Sequence, residues 1–63
     1  MTSYSTVTDK RYRVVHPSQR DAEIHAMHVA QEGHPCWLLA DDNPVSLYRP
    51  SYNESGFRIE PAY

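Results

Sequence analysis

One sharply delimited helix constrains what this 63-residue chain can fold into. Pro17 disfavours a helix before it, because the residue that precedes a proline is pushed to an extended conformation. Ser18 is a suitable N-cap, and Asp21 three residues later gives a variant of the capping box. Gly33 favours the left-handed backbone that commonly follows a helix. These signals predict a single helix over residues 18–33.

The predicted helix has a narrow apolar face. Its apolar residues recur at helical spacing: Ala22, Ala26, Val29 and Ala30. Three alanines allow the helix to lie close to a sheet. Ile24 falls outside this face, and we expect it to cover a sheet edge or to contact a partner.

The rest of the sequence predicts strands. Residues 10–16 alternate apolar and basic side chains, and residues 36–40 are continuously apolar, as in a strand buried on both sides. Residues 41–44 are turn formers and residues 45–49 alternate again, which predicts a β-hairpin. Residues 57–60 are a candidate fourth strand.

We therefore predict an α+β fold, with one helix packed on a three- to four-stranded, mostly antiparallel sheet in the order β-α-β-β. Residues 10–63 form the single domain, and the Ser/Thr-rich residues 1–9 form a mobile N-terminal arm. The predicted core comprises Tyr12, Val14, Ala22, Ala26, Val29, Ala30, Trp37, Leu39, Val45, Leu47 and either Phe57 or Ile59.

The single cysteine, Cys36, excludes a disulfide within the chain. One thiol without a secretory hydrophobic region predicts a cytoplasmic protein. The longest apolar run, residues 36–40, is too short to span a bilayer, so we expect no membrane association. Small domains often gain stability from a metal or a second subunit, and a homodimer is left open.

Charge is distributed unevenly along the chain. Residues 1–20 carry four basic residues and one acidic residue, a net charge of +3, whereas residues 21–63 carry seven acidic residues and two arginines, a net charge of −5. Such an asymmetry bears on partners rather than on fold. A basic protein surface would be attracted by the acidic part of the chain, and a polyanion would be repelled by it.

The predicted solvent side of the helix carries a helix stripe of four residues: Asp21, His25, His28 and Glu32. Spacings of four, three and four residues place all of them on one side of a helix. We predict that this stripe binds a protein partner, together with Asp41 and Asp42 at the hairpin tip. A metal site at His25 and His28 is an alternative, although the His–Glu–His spacing of zinc proteases is absent and we predict no metal.

A second group of candidate partner-binding residues surrounds the loop after the hairpin. Its members are Tyr48, Arg49 and Tyr52, with Arg58 and Tyr63 nearby in sequence. Tyrosine and arginine are enriched at the energetic centres of protein interfaces. The same residues would extend a nucleic-acid-binding strand at Lys10–Arg13, in which basic and aromatic side chains are mixed. Nucleic-acid binding is therefore an alternative function, although the acidic balance argues against it.

We predict that the protein is not an enzyme and has no cofactor. A Cys36 nucleophile paired with His34 would require an orienting third group and an oxyanion site. Cys36 instead begins the most apolar segment, where a cysteine is typically a core residue. Two glycines in the whole chain provide no glycine-rich phosphate loop.

These observations favour a small protein-binding module. Tiny, cysteine-poor α/β chains with segregated charge are typical of phage and mobile-element accessory proteins, among them anti-CRISPR proteins and inhibitors of RNA polymerase. We accordingly expect a protein that inhibits a larger nucleic-acid-processing complex by occupying its basic surface.

Overall fold

The computed structural model describes residues 2–10 and 12–62, and within them it contains one helix and five strands. In chain order the elements are β1 (Tyr4–Thr8), β2 (Arg13–His16), α1 (Gln19–Gln31), β3 (Cys36–Ala40), β4 (Asn43–Pro50) and β5 (Phe57–Pro61). The predicted α+β class is confirmed, and so are the hairpin and the fourth predicted strand. The sheet is antiparallel throughout and has one strand more than predicted.

The additional strand is β1, which lies between β2 and β3 in the sheet order β2-β1-β3-β4-β5. The prediction of a mobile arm over residues 1–9 is therefore wrong for Tyr4–Thr8, while Met1 lies outside the described residues. Thr6 pairs with Val14 on one side and with Leu38 on the other. This pairing uses backbone groups, so it does not require the apolar periodicity that the segment lacks.

Helix α1 begins and ends close to the predicted positions. Ser18 is the N-cap, with φ −151° and ψ 164°, and its hydroxyl accepts a hydrogen bond from an amide of the first turn at 3.3 Å. At the other end Gly33 has φ 101°, and its amide donates to the Ala30 carbonyl at 3.0 Å. The His34 amide donates to the Val29 carbonyl at 3.2 Å, which completes a Schellman motif.

Strands β3 and β4 are joined by a two-residue turn at Asp41 and Asp42, whose φ angles are 50° and 66°. Positive φ at both residues is the geometry of a type I′ hairpin turn, whose twist matches that of the strands. The register shifts between Leu38 and Leu39, so that Val45 is the extra residue of a β-bulge. Val45 is therefore 37% exposed, and its prediction as a core residue is wrong.

The core lies between α1 and one face of the sheet. Its buried members are Ala22, Ala26 and Ala30 from the helix with Cys36, Leu38 and Tyr48 from the sheet. All three alanines have zero exposed surface, because small side chains let the helix axis approach the strands. Tyr48 stacks on Phe57 with ring centroids 5.9 Å apart, which closes the core toward β5.

Several predicted core residues lie elsewhere. Tyr12 precedes β2 and is 68% exposed. Trp37, Leu39 and Leu47 are on the side of the sheet away from α1, because residues alternate between the two faces of a strand. The alternatives of Phe57 or Ile59 resolve to Phe57, since Ile59 is 55% exposed.

Candidate functional site

The helix stripe is only partly available to a partner. Asp21, His28 and Glu32 are exposed, as predicted. His25 is instead half-buried, and its ring lies against that of His16 on β2, with centroids 5.0 Å apart. His25, the second residue of the helix stripe, therefore points toward the sheet, where α1 meets the sheet edge.

His16 belongs to a small polar contact beneath the helix. Its Nε2 lies 2.9 Å from the hydroxyl oxygen of Thr6 on β1. Burial lowers the pKa of His16 and the neighbouring His25 lowers it further, while Asp21 opposes the shift. Burial and the neighbouring His25 thus favour the neutral form of the His16 imidazole.

The structure does not assemble the residues of the alternative metal site. Within residues 2–10 and 12–62, no three histidine, cysteine or acidic side chains are grouped so as to hold a metal ion. His34 is exposed, with its Nδ1 4.0 Å from an Asp9 carboxylate oxygen, whereas Cys36 is buried under α1. Burial raises the pKa of the Cys36 thiol, which disfavours the nucleophilic thiolate.

The hairpin tip is engaged in contacts within the molecule. The Asp41 carboxylate accepts a hydrogen bond from the Ser3 amide at 2.9 Å. Asp42 forms an ion pair with Arg13 of β2, so its charge is compensated. This ion pair crosses β1, which separates β2 from β3 in the sheet.

The second predicted group does not form one surface. Tyr48 is 5% exposed and belongs to the core, so its prediction as a partner-binding residue is wrong. Arg49 points to the opposite face and contacts Glu60 at 3.1 Å, while Tyr52 is fully exposed in the following loop. The cause is strand alternation, which sends Tyr48 and Arg49 to opposite sides of β4.

The basic strand of the nucleic-acid alternative is also separated from that group. Arg13 lies on β2, an edge strand, with β1 and β3 between it and Arg49 on β4. Arg11, within the predicted basic strand, and Tyr63, of the second predicted group, lie outside the described residues. The geometry therefore gives no continuous basic and aromatic track in the described part of the chain.

Sequence reasoning missed the most distinctive surface, the open sheet face opposite α1. Val7, Trp37 and Leu47 stand in register across β1, β3 and β4. In the next row Ser5 of β1, which is 2% exposed, lies between Val15 and Leu39, and Val15 is 69% exposed. The signal was the continuous apolar run at residues 36–40, which predicted cover on both sides of β3, whereas α1 covers one.

Charged side chains border the open sheet face. Arg49 and Arg58 are paired in register on β4 and β5, and both contact Glu60, at 3.1 and 3.4 Å. At the β2 edge Arg13 stands in register with Val7, and its ion pair with Asp42 crosses β1. The face thus has an apolar centre with a rim of paired charges, which is the usual layout of a protein interface.

Two surface grooves of about 410 Å³ lie near the carboxyl end of α1 among the described residues. The first has Tyr12 and Val29 in its walls, together with the polar side chains of Asp9, Glu32 and His34. Cys36 lines neither of them. The candidate thiol nucleophile is therefore separated from both of these grooves.

Comparisons of this chain with protein-family models, with curated proteins and with solved structures found no match. Across residues 2–10 and 12–62, no helix combines the length and the apolar character needed to cross a membrane.

Proposed function

We propose that this chain is a non-enzymatic protein-binding module and that it docks through the open sheet face. The observation that supports the proposal is the division of the apolar side chains. On the helix side of the sheet Leu38 and Tyr48 are buried against the alanines of α1. Trp37, Leu39 and Leu47 lie on the side that α1 leaves uncovered. These three side chains are half-buried, and Val15 on the same side is 69% exposed. Apolar surface that no other element covers, with a polar border, is typical of protein–protein contact sites.

The chemistry of the open sheet face favours protein over nucleic acid. A surface that binds single strands needs unpaired cations along the backbone and several stacking rings. Here the neighbours of Trp37 in its row are Val7 and Leu47, which are aliphatic. Of the arginines that border the face, Arg13 is paired with Asp42. Arg49 and Arg58 share one carboxylate, that of Glu60.

The finer part of the proposal concerns the other side of the molecule. Asp21, His28 and Glu32 remain exposed on α1, and they would face a basic surface on a nucleic-acid-processing complex. Charge complementarity of this kind speeds encounter more than it adds affinity. In this scheme the chain inhibits its target by occupying a surface that nucleic acid would otherwise use.

The open sheet face can be tested with one substitution and a matched control. Val15→Lys places a charge on that face at a position that is 69% exposed, so the fold should tolerate it. Ile59→Lys makes the same change on the opposite face, at a residue that is 55% exposed. Each version of the chain is immobilised, and the proteins that it retains from extracts of its native host are compared.

We expect proteins that are retained by the unchanged chain and by Ile59→Lys but are lost with Val15→Lys. Identical retention by all three versions would refute docking through this face. Circular dichroism of both variants is the control for folding.

A further inference from the structure

We infer that the occupant of the open sheet face is a second copy of this chain, so that the protein is a two-fold symmetric dimer. This inference rests on the proposed function and specifies its partner. Trp37 and Leu39 lie on β3, the middle strand of the five, so the apolar centre of the face is also its geometric centre. A two-fold interface uses the same patch on both copies. Because this patch is at the centre of the sheet, the two patches can meet while the two sheets overlap fully.

The charges along the hairpin are self-complementary. At the turn before β4 stand Asp41 and Asp42, and with the Arg13 guanidinium that contacts Asp42 they sum to −1. At the far end Arg49, Arg58 and their shared partner Glu60 sum to +1. The two ends of the hairpin therefore carry opposite net charge.

A two-fold axis that crosses the strands reverses the strand direction of the second copy. The acidic turn of each copy then lies over the basic end of the other. The strands of the two sheets stay nearly aligned, as they do in β-sandwiches with sheets about 10 Å apart. A strongly basic or strongly acidic partner would match only one end of the face, whereas a second copy matches both.

The available area fits a small dimer. Five strands of 5, 4, 5, 8 and 5 residues, about 4.8 Å apart, give a face of roughly 24 by 18 Å. Two such faces bury on the order of 900 Å², which is within the range of weak interfaces. We therefore expect micromolar rather than nanomolar affinity between copies.

Dimerisation would also give β3 the cover that its sequence predicts. Cys36 and Leu38 are buried under α1, while Trp37 and Leu39 would be buried by the partner sheet. The resulting order of layers is helix, sheet, sheet, helix. Asp21, His28 and Glu32 would remain on the outer surface of both copies.

The test is the molar mass in solution, measured by sedimentation equilibrium from micromolar to millimolar concentration. A monomer has a mass of 7.3 kDa. We expect the unchanged chain to approach twice that mass. Val15→Lys should raise the dissociation constant at least about tenfold, because it places a charge against the partner's apolar surface. Ile59→Lys, on the opposite face, should leave the constant within about twofold of the original.

A second pair of variants tests the charge arrangement. Arg58→Glu reverses the net charge of the basic end from +1 to −1 and should also raise the dissociation constant about tenfold or more at low salt. Arg20→Glu makes the same charge change at an exposed position on α1 and should leave it unchanged. Circular dichroism again verifies that each variant is folded.

The outcomes separate this inference from the proposed function. A monomer at every concentration, or a dimer that Val15→Lys does not weaken, would overturn the inference. If the chain is monomeric and Val15→Lys still abolishes capture of other proteins, the inference fails and the proposed function stands. If the chain is monomeric and capture does not depend on Val15, both fail.

Discussion

Two adjacent leucines on β3 should respond very differently to truncation. Leu38 is 3% exposed beneath α1, whereas Leu39 is half-buried on the open sheet face. Leu38→Ala removes three carbons, worth about 0.8 kcal/mol each or about 2.4 kcal/mol in transfer free energy. The sealed cavity that remains brings the expected loss to about 3–4 kcal/mol. Leu39→Ala should cost the monomer about 1 kcal/mol, because water fills the space that it leaves.

Urea unfolding at low micromolar concentration measures both losses, with the fluorescence of Trp37, the single tryptophan, as the signal. A domain of this size has about 3–5 kcal/mol of stability in total, so Leu38→Ala should be largely unfolded without urea. Leu38→Val and Leu39→Val give a milder pair whose free energies of unfolding can both be measured. Equal losses at the two positions would refute the assignment of the core to the helix side.

Three further outcomes are expected. Burial and a neighbouring histidine lower the pKa of His16 below its ordinary value of 6.5. As the pH falls, the unfolded chain therefore takes up a proton at this residue at a higher pH than the folded chain does. The contribution of His16 to stability should be complete above about pH 6.5 and should be lost below it. Between about pH 7.5 and pH 5 the melting temperature should therefore decrease less for His16→Gln than for the unchanged chain. Gly33→Ala should cost about 1 kcal/mol in urea unfolding through its φ of 101° alone, since nothing lies within 4 Å of the added carbon; no loss would contradict that backbone geometry. The double substitution Asp21→Lys and Glu32→Lys should reduce capture of a basic partner about tenfold, whereas Glu54→Lys should not. Equal capture by both variants would show that the acidic residues of α1 do not bind the partner.

Local signals predicted the helix and the hairpin. Ser18 and Gly33 act within one turn of the ends of α1, and the two aspartates at residues 41 and 42 form the turn between β3 and β4. In contrast β1 is held by backbone pairing to β2 and to β3, and β3 is distant in sequence. Composition alone does not predict such pairing, because Tyr4–Thr8 has strand-forming residues but no apolar period.

The candidate site was predicted less well, because the side of a strand that packs against the helix depends on the tertiary structure. The alternation over residues 45–49 was correctly identified as a strand, but it does not reveal which side meets α1. Tyr48 takes that side opposite Cys36, and this sends Leu47 and Arg49 to the open sheet face. The ion pair between Arg13 and Asp42 likewise joins residues far apart in sequence.

The interior position of β1, between β2 and β3, determines how the sheet can open locally. Among the described residues β2 pairs with β1 alone, whereas β1 pairs on both of its edges. Separation of β1 from β3 therefore detaches β1 and β2 together, while loss of β5 leaves four paired strands. Amide hydrogens across Tyr4–Thr8 should accordingly exchange with solvent as slowly as those of β3. The strand that lacks an apolar period thus controls whether the sheet unfolds as one cooperative unit or in two parts.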